Sequence, residues 1–337
     1  MLVNEEKKEG SFVLTIGAGQ MPNIVKDKSD NLHLCYGTSD SIMYSFSSDQ
    51  GKSFSPPIVI AVLPGLDAAY MRGPQIAATD HGLTVIACDG SGDIFSYNKN
   101  GSDKWLLTSK VNDVDTIAKE GFMALSGDGE NLFAVWLDLR RDKRNNLYGS
   151  RSYDGGKSWS KNVLVYASPD GKVCECCKPS VVVKGSNVFV MFRNSLNGNR
   201  DLYLSQSSDR GTNFGQAQKL GYGSWALDGC PMDGGGIAVS TNNHPQTVWF
   251  RKGEIFVCEP GTQEVSIGKG RSCTIESVND KNIYAWTEKD EVVCLMPKGK
   301  KKFLGKGEIP IIKAVNNEHI ICVWENEKQI QAAIVEL

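Results

Sequence analysis

Short apolar runs separated by polar turns recur along the whole chain, and almost none carries the 3.6-residue period of a helix. Seven units share one plan, in which an apolar strand leads through a turn to a second strand that often ends in an aromatic residue. They run from Pro22 to Tyr36, Pro74 to Cys88, Phe122 to Trp136, Pro179 to Phe192, Pro231 to Trp249, Cys273 to Trp286 and Pro310 to Trp324. Each then supplies a third strand, such as Leu147–Arg151 or Leu202–Ser205. A single unit cannot bury both of its faces, so units of this size stack around an axis. The pattern predicts an all-β, seven-bladed propeller of four-stranded antiparallel blades, although the chain length alone would also allow six blades. Ser11–Ile16 is expected to pair with the last blade, whose final strand is Gln329–Val335, and so close the ring without a free edge. Residues 11–337 then form one domain, behind a charged and flexible stretch of residues 1–10.

A shorter motif is threaded through these units. Ser47 to Phe54, Ser152 to Trp159 and Ser207 to Phe214 all read S-x-D-x-G-x-x-aromatic. Asp49, Asp154 and Asp209 can turn their carboxylates onto following N–H groups, while the glycine takes a positive φ and the aromatic ring covers the turn. Ser96-Tyr97-Asn98, with Gly101 and Trp105, fills the place of a degenerate fourth copy.

Charge and composition narrow the function classes. Across 337 residues, 37 basic and 39 acidic side chains leave a formal net charge of −2, so nothing drives binding to nucleic acid. No apolar run is long enough for a spanning helix. The first ten residues lack the apolar core of a signal peptide, so the protein either stays inside the cell or begins after a removed leader. No phosphate-binding glycine loop, nucleophile elbow or zincin motif is present. The sequence carries no signal for oligomeric state.

The S-x-D-x-G-x-x-W/F element resembles the Asp-box, or bacterial neuraminidase repeat, of the sialidase-like propellers. Cys174-Glu175-Cys176-Cys177-Lys178-Pro179 and the stretch from Trp225 to Gly235, which contains Gly229-Cys230-Pro231-Met232-Asp233-Gly234, are similar to segments of bacterial proteins labelled exo-α-sialidase or BNR-repeat proteins. The resemblance implies a propeller with the boxes on the face opposite the ligand, a small anionic or glycan ligand, and a periplasmic or extracellular setting, with the cytoplasm left open. It also implies what a sialidase requires: three arginines on the substrate carboxylate, a Tyr nucleophile with a Glu partner, and an Asp acid/base. Arg72-Gly73-Pro74 resembles the family's R-I-P segment, and Arg193 and Arg251 would complete the triad. No tyrosine takes the nucleophile's place, because Tyr284 falls inside a strand and Tyr222 lies in a loop.

In such a propeller the inner strands begin on the ligand face, and the links from second to third strands return to it. This gathers Arg72, Glu120, Asp138, Arg140, Arg193, Asp228, Asp233, Arg251 and Arg271 at one mouth of the channel. Bidentate donors grouped in this way suit an oxyanion ligand, and they equally suit Arg–Asp pairs that brace loops. Two readings follow: a glycan-active hydrolase of sialidase type, or a non-catalytic exported binding protein.

Five of the ten cysteines (Cys35, Cys88, Cys258, Cys294 and Cys322) lie in apolar strand runs as core filling. Cys174, Cys176, Cys177 and Cys230 instead precede the inner strands of adjacent blades and should approach one another at the rim. Disulfides, a thiolate site for Cu or Zn, and free thiols all fit that placement. Cys176 and Cys177 should not pair with each other.

Overall fold

In the computed structural model, which describes residues 12–99, 101 and 104–337, seven four-stranded antiparallel sheets surround one axis. Their inner strands are Gln20–Lys26, Gln75–Thr79, Met123–Asp128, Ser180–Lys184, Gly236–Val239, Arg271–Val278 and Glu308–Ala314, in blades 1 to 7. The expected blade starts are met within a few residues everywhere except blade 5. There Pro231 is followed by further linker, and the strand begins at Gly236. Among the described residues the only helical piece is the 3₁₀ turn Pro297–Gly299.

Ring closure is as expected. Val13–Ala18 pairs antiparallel with Gln329–Glu336, so the N-terminal strand forms the outer edge of blade 7. Every other blade is continuous in sequence, and this pairing joins the two ends of the chain. The proposed flexible residues 1–10, and Ser11 of the expected closing strand, lie outside the described residues.

The core sits between blades rather than within them. Second strands are the most deeply buried, and Trp136, Trp249, Trp286 and Trp324 lie near their upper ends, almost fully buried. One cluster joins Phe133 and Val135 of blade 3 to Val181, Val188 and Val190 of blade 4. Another joins Ile283 and Val292 of blade 6 to Ile320 and Cys322 of blade 7. Each blade therefore buries the face its neighbour exposes.

The S-x-D-x-G turns link third to fourth strands in blades 1, 3 and 4. Asp49 accepts hydrogen bonds from Ser47 Oγ at 2.7 Å and Ser53 N at 3.0 Å, and Asp154 and Asp209 repeat the arrangement. The box glycine presses on the preceding blade. A Cβ on Gly156 (φ +78°) would meet Thr84 Cγ2 at 2.6 Å, and one on Gly211 (φ +78°) would meet Phe133 at 2.4 Å. Asn98, in the fourth position, turns inward to Thr84 Oγ1 and the Gly155 carbonyl. Because strands alternate in direction, these turns lie on the lower face and the inner strands begin on the upper one.

Blade-to-blade linkers differ sharply around the ring. Residues 63–74, 111–122, 167–179 and 220–235 are long loops, whereas the 5→6, 6→7 and 7→1 links are single glycines, Gly270, Gly307 and Gly19. Each of these glycines packs on an aromatic ring of the blade it leads into: Trp286, Trp324 and Tyr36. A Cβ on Gly307 would sit 2.4 Å from Trp324 Cδ1, and the Trp324 indole donates to the Lys306 carbonyl at 2.8 Å. Trp286 does the same to Lys269.

Candidate functional site at the upper mouth

The upper end of the channel opens into a cavity of about 200 Å³. Met21, Pro22 and Asn23 of blade 1, Gln75 of blade 2, Lys178 and Pro179 of blade 4, Ser272 and Cys273 of blade 6, and Pro310 of blade 7 line it. The wall is mostly apolar with a few converging polar groups, the ordinary make-up of a small-ligand pocket. Lys178 reaches across it, donating to Gln75 Oε1 at 2.8 Å. Gln75 is fixed in turn by donating to the Gly73 and Pro74 carbonyls, each at 3.0 Å. Burial pulls the Lys178 pKa down to about 8. Among the described residues, no carboxylate pairs with this amine.

None of the arginines foreseen at the mouth is among the residues lining this cavity, and most are engaged with carboxylates or carbonyls. Arg72 contacts Asp67 at 3.3 Å and Glu120 at 3.8 Å, with its guanidinium 4.0 Å from the Phe122 ring centre. Arg140 forks onto Asp138 at 2.8 and 2.9 Å and reaches Asp113 at 3.0 Å. Asp138 is fully buried and also takes the Trp136 indole N–H at 2.9 Å. Arg251 pairs with Glu264 at 2.6 Å. Burial pushes the Glu264 carboxyl up, but the Tyr222 N–H, the Arg251 guanidinium and the Gly223 N–H hold it at about 2.

Arg193 is different. It is 1% exposed, and its nitrogens donate to three carbonyls, those of Asp233, Arg200 and Phe250, at 3.1, 2.8 and 2.8 Å. Asp233, also fully buried, accepts the Ser272 N–H at 2.6 Å and so ties blade 5 to blade 6. Burial pushes its carboxyl up against the pull of Ser272, Arg193 and Arg271. Arg271 and Asp228 are exposed, and neither has an ion-pair partner among the described residues. Tyr284 is partly buried within its strand, and the exposed Tyr222 donates its hydroxyl to the Gly261 carbonyl at 3.0 Å. Among the described residues, no hydrogen bond joins a tyrosine hydroxyl to a carboxylate.

The four rim cysteines converge. Cys176 and Cys230 form a disulfide, with Cα atoms 6.1 Å apart and a sequence separation of 54. It clips the linker before blade 4 to the linker before blade 5, and a loop of that length constrains the unfolded chain by roughly 4 kcal/mol. Cys174 Sγ lies 3.7 Å from Cys176 Sγ and 3.5 Å from Cys177 Sγ. The sulfurs of Cys174, Cys176 and Cys177 all fall within 4.8 Å of one another, a spacing that Cu or Zn could bridge. With Cys176 bonded to Cys230, however, only Cys174 and Cys177 remain as free thiols in this cluster.

Sequence reasoning placed Lys178 at the rim without singling it out. Its signal was position: it directly precedes Pro179, so the topology aims it into the channel.

No protein-family model and no curated protein sequence matches the chain. Solved structures do. An α-L-arabinanase from Penicillium chrysogenum, solved with arabinobiose, aligns with 97% of this chain and 98% of its own at 12% identity and a TM-score of 0.58. A polysaccharide lyase of family PL25, an ulvan lyase bound to a -[GlcA(1-4)Rha3S]- saccharide, aligns over 98% and 96% at 10% identity and 0.56. The GH93 α-L-arabinofuranosidase of Fusarium graminearum aligns over 97% and 98% at 13% identity and 0.54. The likeness shows a shared fold, the seven-bladed β-propeller. Among the described residues no helix is long and apolar enough to cross a membrane.

Proposed function

We propose that the protein binds a small anionic glycan in the upper mouth, with Lys178 as the principal cation and Arg271 and Asp228 at the outer rim. The observation that carries this reading is the Lys178 amine, held in the cavity by one neutral acceptor while Arg72, Arg140 and Arg251 are already paired with carboxylates. Met21, Pro22, Pro179 and Pro310 offer apolar surface to sugar ring faces, and Asn23 and Gln75 offer amides to hydroxyls. Solved propellers of this fold include glycan-active enzymes, and one of them holds a saccharide built from glucuronate and sulfated rhamnose. In this reading the protein is a binding protein without conventional sialidase chemistry, since most of its arginines are already engaged and no hydrogen bond joins a tyrosine hydroxyl to a glutamate among the described residues. An oxidising compartment outside the cytoplasm suits the Cys176–Cys230 bond.

Calorimetry with uronate-containing and neutral oligosaccharides tests the proposal. Acidic sugars should bind, neutral ones weakly, and Lys178→Met should lower affinity at least tenfold. Failure of every acidic sugar to bind would overturn it. A fluorogenic sialoside should not be turned over; robust release abolished by Arg193→Ala or Arg251→Ala would restore the hydrolase reading.

A further inference from the structure

We propose that Cys174, Cys176 and Cys230 form a thiol–disulfide exchange centre, in which Cys174 displaces Cys230 from Cys176 and presents Cys230 as a surface thiolate. Three independent features converge on this. The first is reach: the free sulfur of Cys174 lies 3.7 Å from Cys176 Sγ, one of the two sulfurs of the bond it would break. The second is the electrostatic setting of the attacking sulfur. The Cys177 sulfur lies 3.5 Å from it, and that hydrogen bond together with the charges of Arg193 and Arg200 lowers its pKa despite burial. Arg193 donates hydrogen bonds to the carbonyls of Asp233, Arg200 and Phe250, and the buried Asp233 carboxyl also interacts with its charge. Lys172 and Glu175, the charged neighbours on the same segment, pair with each other at 2.6 Å.

The third feature is the asymmetry of exposure. Cys174 and Cys177 are buried, Cys176 is half-buried, and Cys230 is exposed on the linker it clips. The attacking residue is buried while the residue that leaves is exposed.

The step balances without any external oxidant or reductant. The Cys174 thiolate attacks Cys176 Sγ, the Cys174–Cys176 bond forms, and the Cys176–Cys230 bond breaks. Cys230 departs with the bonding pair as a thiolate, and Cys177 keeps its proton throughout. One disulfide and one thiolate stand on each side. What changes is topology: the clip between two blade linkers is exchanged for a small ring within one of them.

Native full-length protein should be held in thiol-free buffer with N-ethylmaleimide, quenched in acid and mapped by mass spectrometry of its non-reduced peptides. Alkylated Cys230 and a Cys174–Cys176 linkage should accumulate together and in equal amounts. Cys174→Ser, checked for folding by circular dichroism, should lower Cys230 alkylation at least tenfold. Alkylation of Cys230 without the Cys174–Cys176 linkage, equal alkylation in Cys174→Ser, or an unmodified Cys230 after a day would each overturn the proposal. The wild-type mapping stands by itself if the variant does not fold, and none of these readouts depends on a glycan.

Discussion

The backbone of Gly234 lies against that of Lys178 so closely that a Cβ on Gly234 would stand 1.9 Å from the Lys178 carbonyl oxygen. The contact packs the linker before blade 5 directly onto the start of blade 4, which seats both Lys178 and the Cys176–Cys230 clip. Gly234→Ala must push the two backbones apart. It should cost about 2–3 kcal/mol in urea unfolding and also weaken any ligand affinity that depends on Lys178. Unchanged stability would show that the two segments are free to separate.

Lys178 makes the proposed binding depend on pH. Its ammonium is present below about 8 and is lost above it, whereas an unperturbed lysine would hold its proton to beyond 10. Affinity for an acidic sugar should be level from pH 6 to 7 and roughly tenfold weaker at pH 9. Lys178→Arg, if it binds, should be flat over that window. Calorimetry at matched ionic strength makes the comparison.

Ring closure is open to a direct test. A chain beginning at Gly19 lacks the outer strand of blade 7 and exposes the edge of Gln329–Glu336. It should lose at least about 5 °C in Tm and self-associate on size exclusion, as unpaired edges do.

The lower-face turns set the acid limit of the fold. Hydrogen bonds from Ser53 and Ser47 hold Asp49 at about 2. Burial raises Asp154, but Ser158 and Ser152 bring it below its ordinary value, and Ser207 and Asn213 lower Asp209. Carboxyls lowered in the folded state stabilise it above pH 4, and that contribution disappears as pH falls from about 4 towards 2. The Asp49→Asn, Asp154→Asn, Asp209→Asn variant should be less stable at pH 7 and lose part of the acid slope, as followed by fluorescence-detected unfolding at stepped pH.

Much of the architecture was legible because its signals are local. Prolines and aromatics mark strand starts and ends, and Pro22, Pro74, Pro179 and Pro310 all stand within two residues of an inner strand's first residue. Blade 5 departed from that pattern because Gly234 and Gly235 continue the linker after Pro231. The arginines show the other limit. Arg140 finds its partner two residues away at Asp138, while Arg251 finds its partner at Glu264, in the loop before the outer strand of its own blade. Sequence can bring a guanidinium to the mouth, but whether it meets a carboxylate there depends on pairing across loops that no local pattern encodes. Lys178 went unmarked because a lone lysine becomes unusual only once its surroundings are known.

Three single-glycine links on one side and four loops on the other make the rim of this channel a horseshoe. A saccharide seated against Lys178 has loops beside it over blades 2 to 5 and little to climb over blades 6, 7 and 1. In the proposed binding mode a longer chain would run outward through the gap while its end stays in the mouth, with no need of a moving lid.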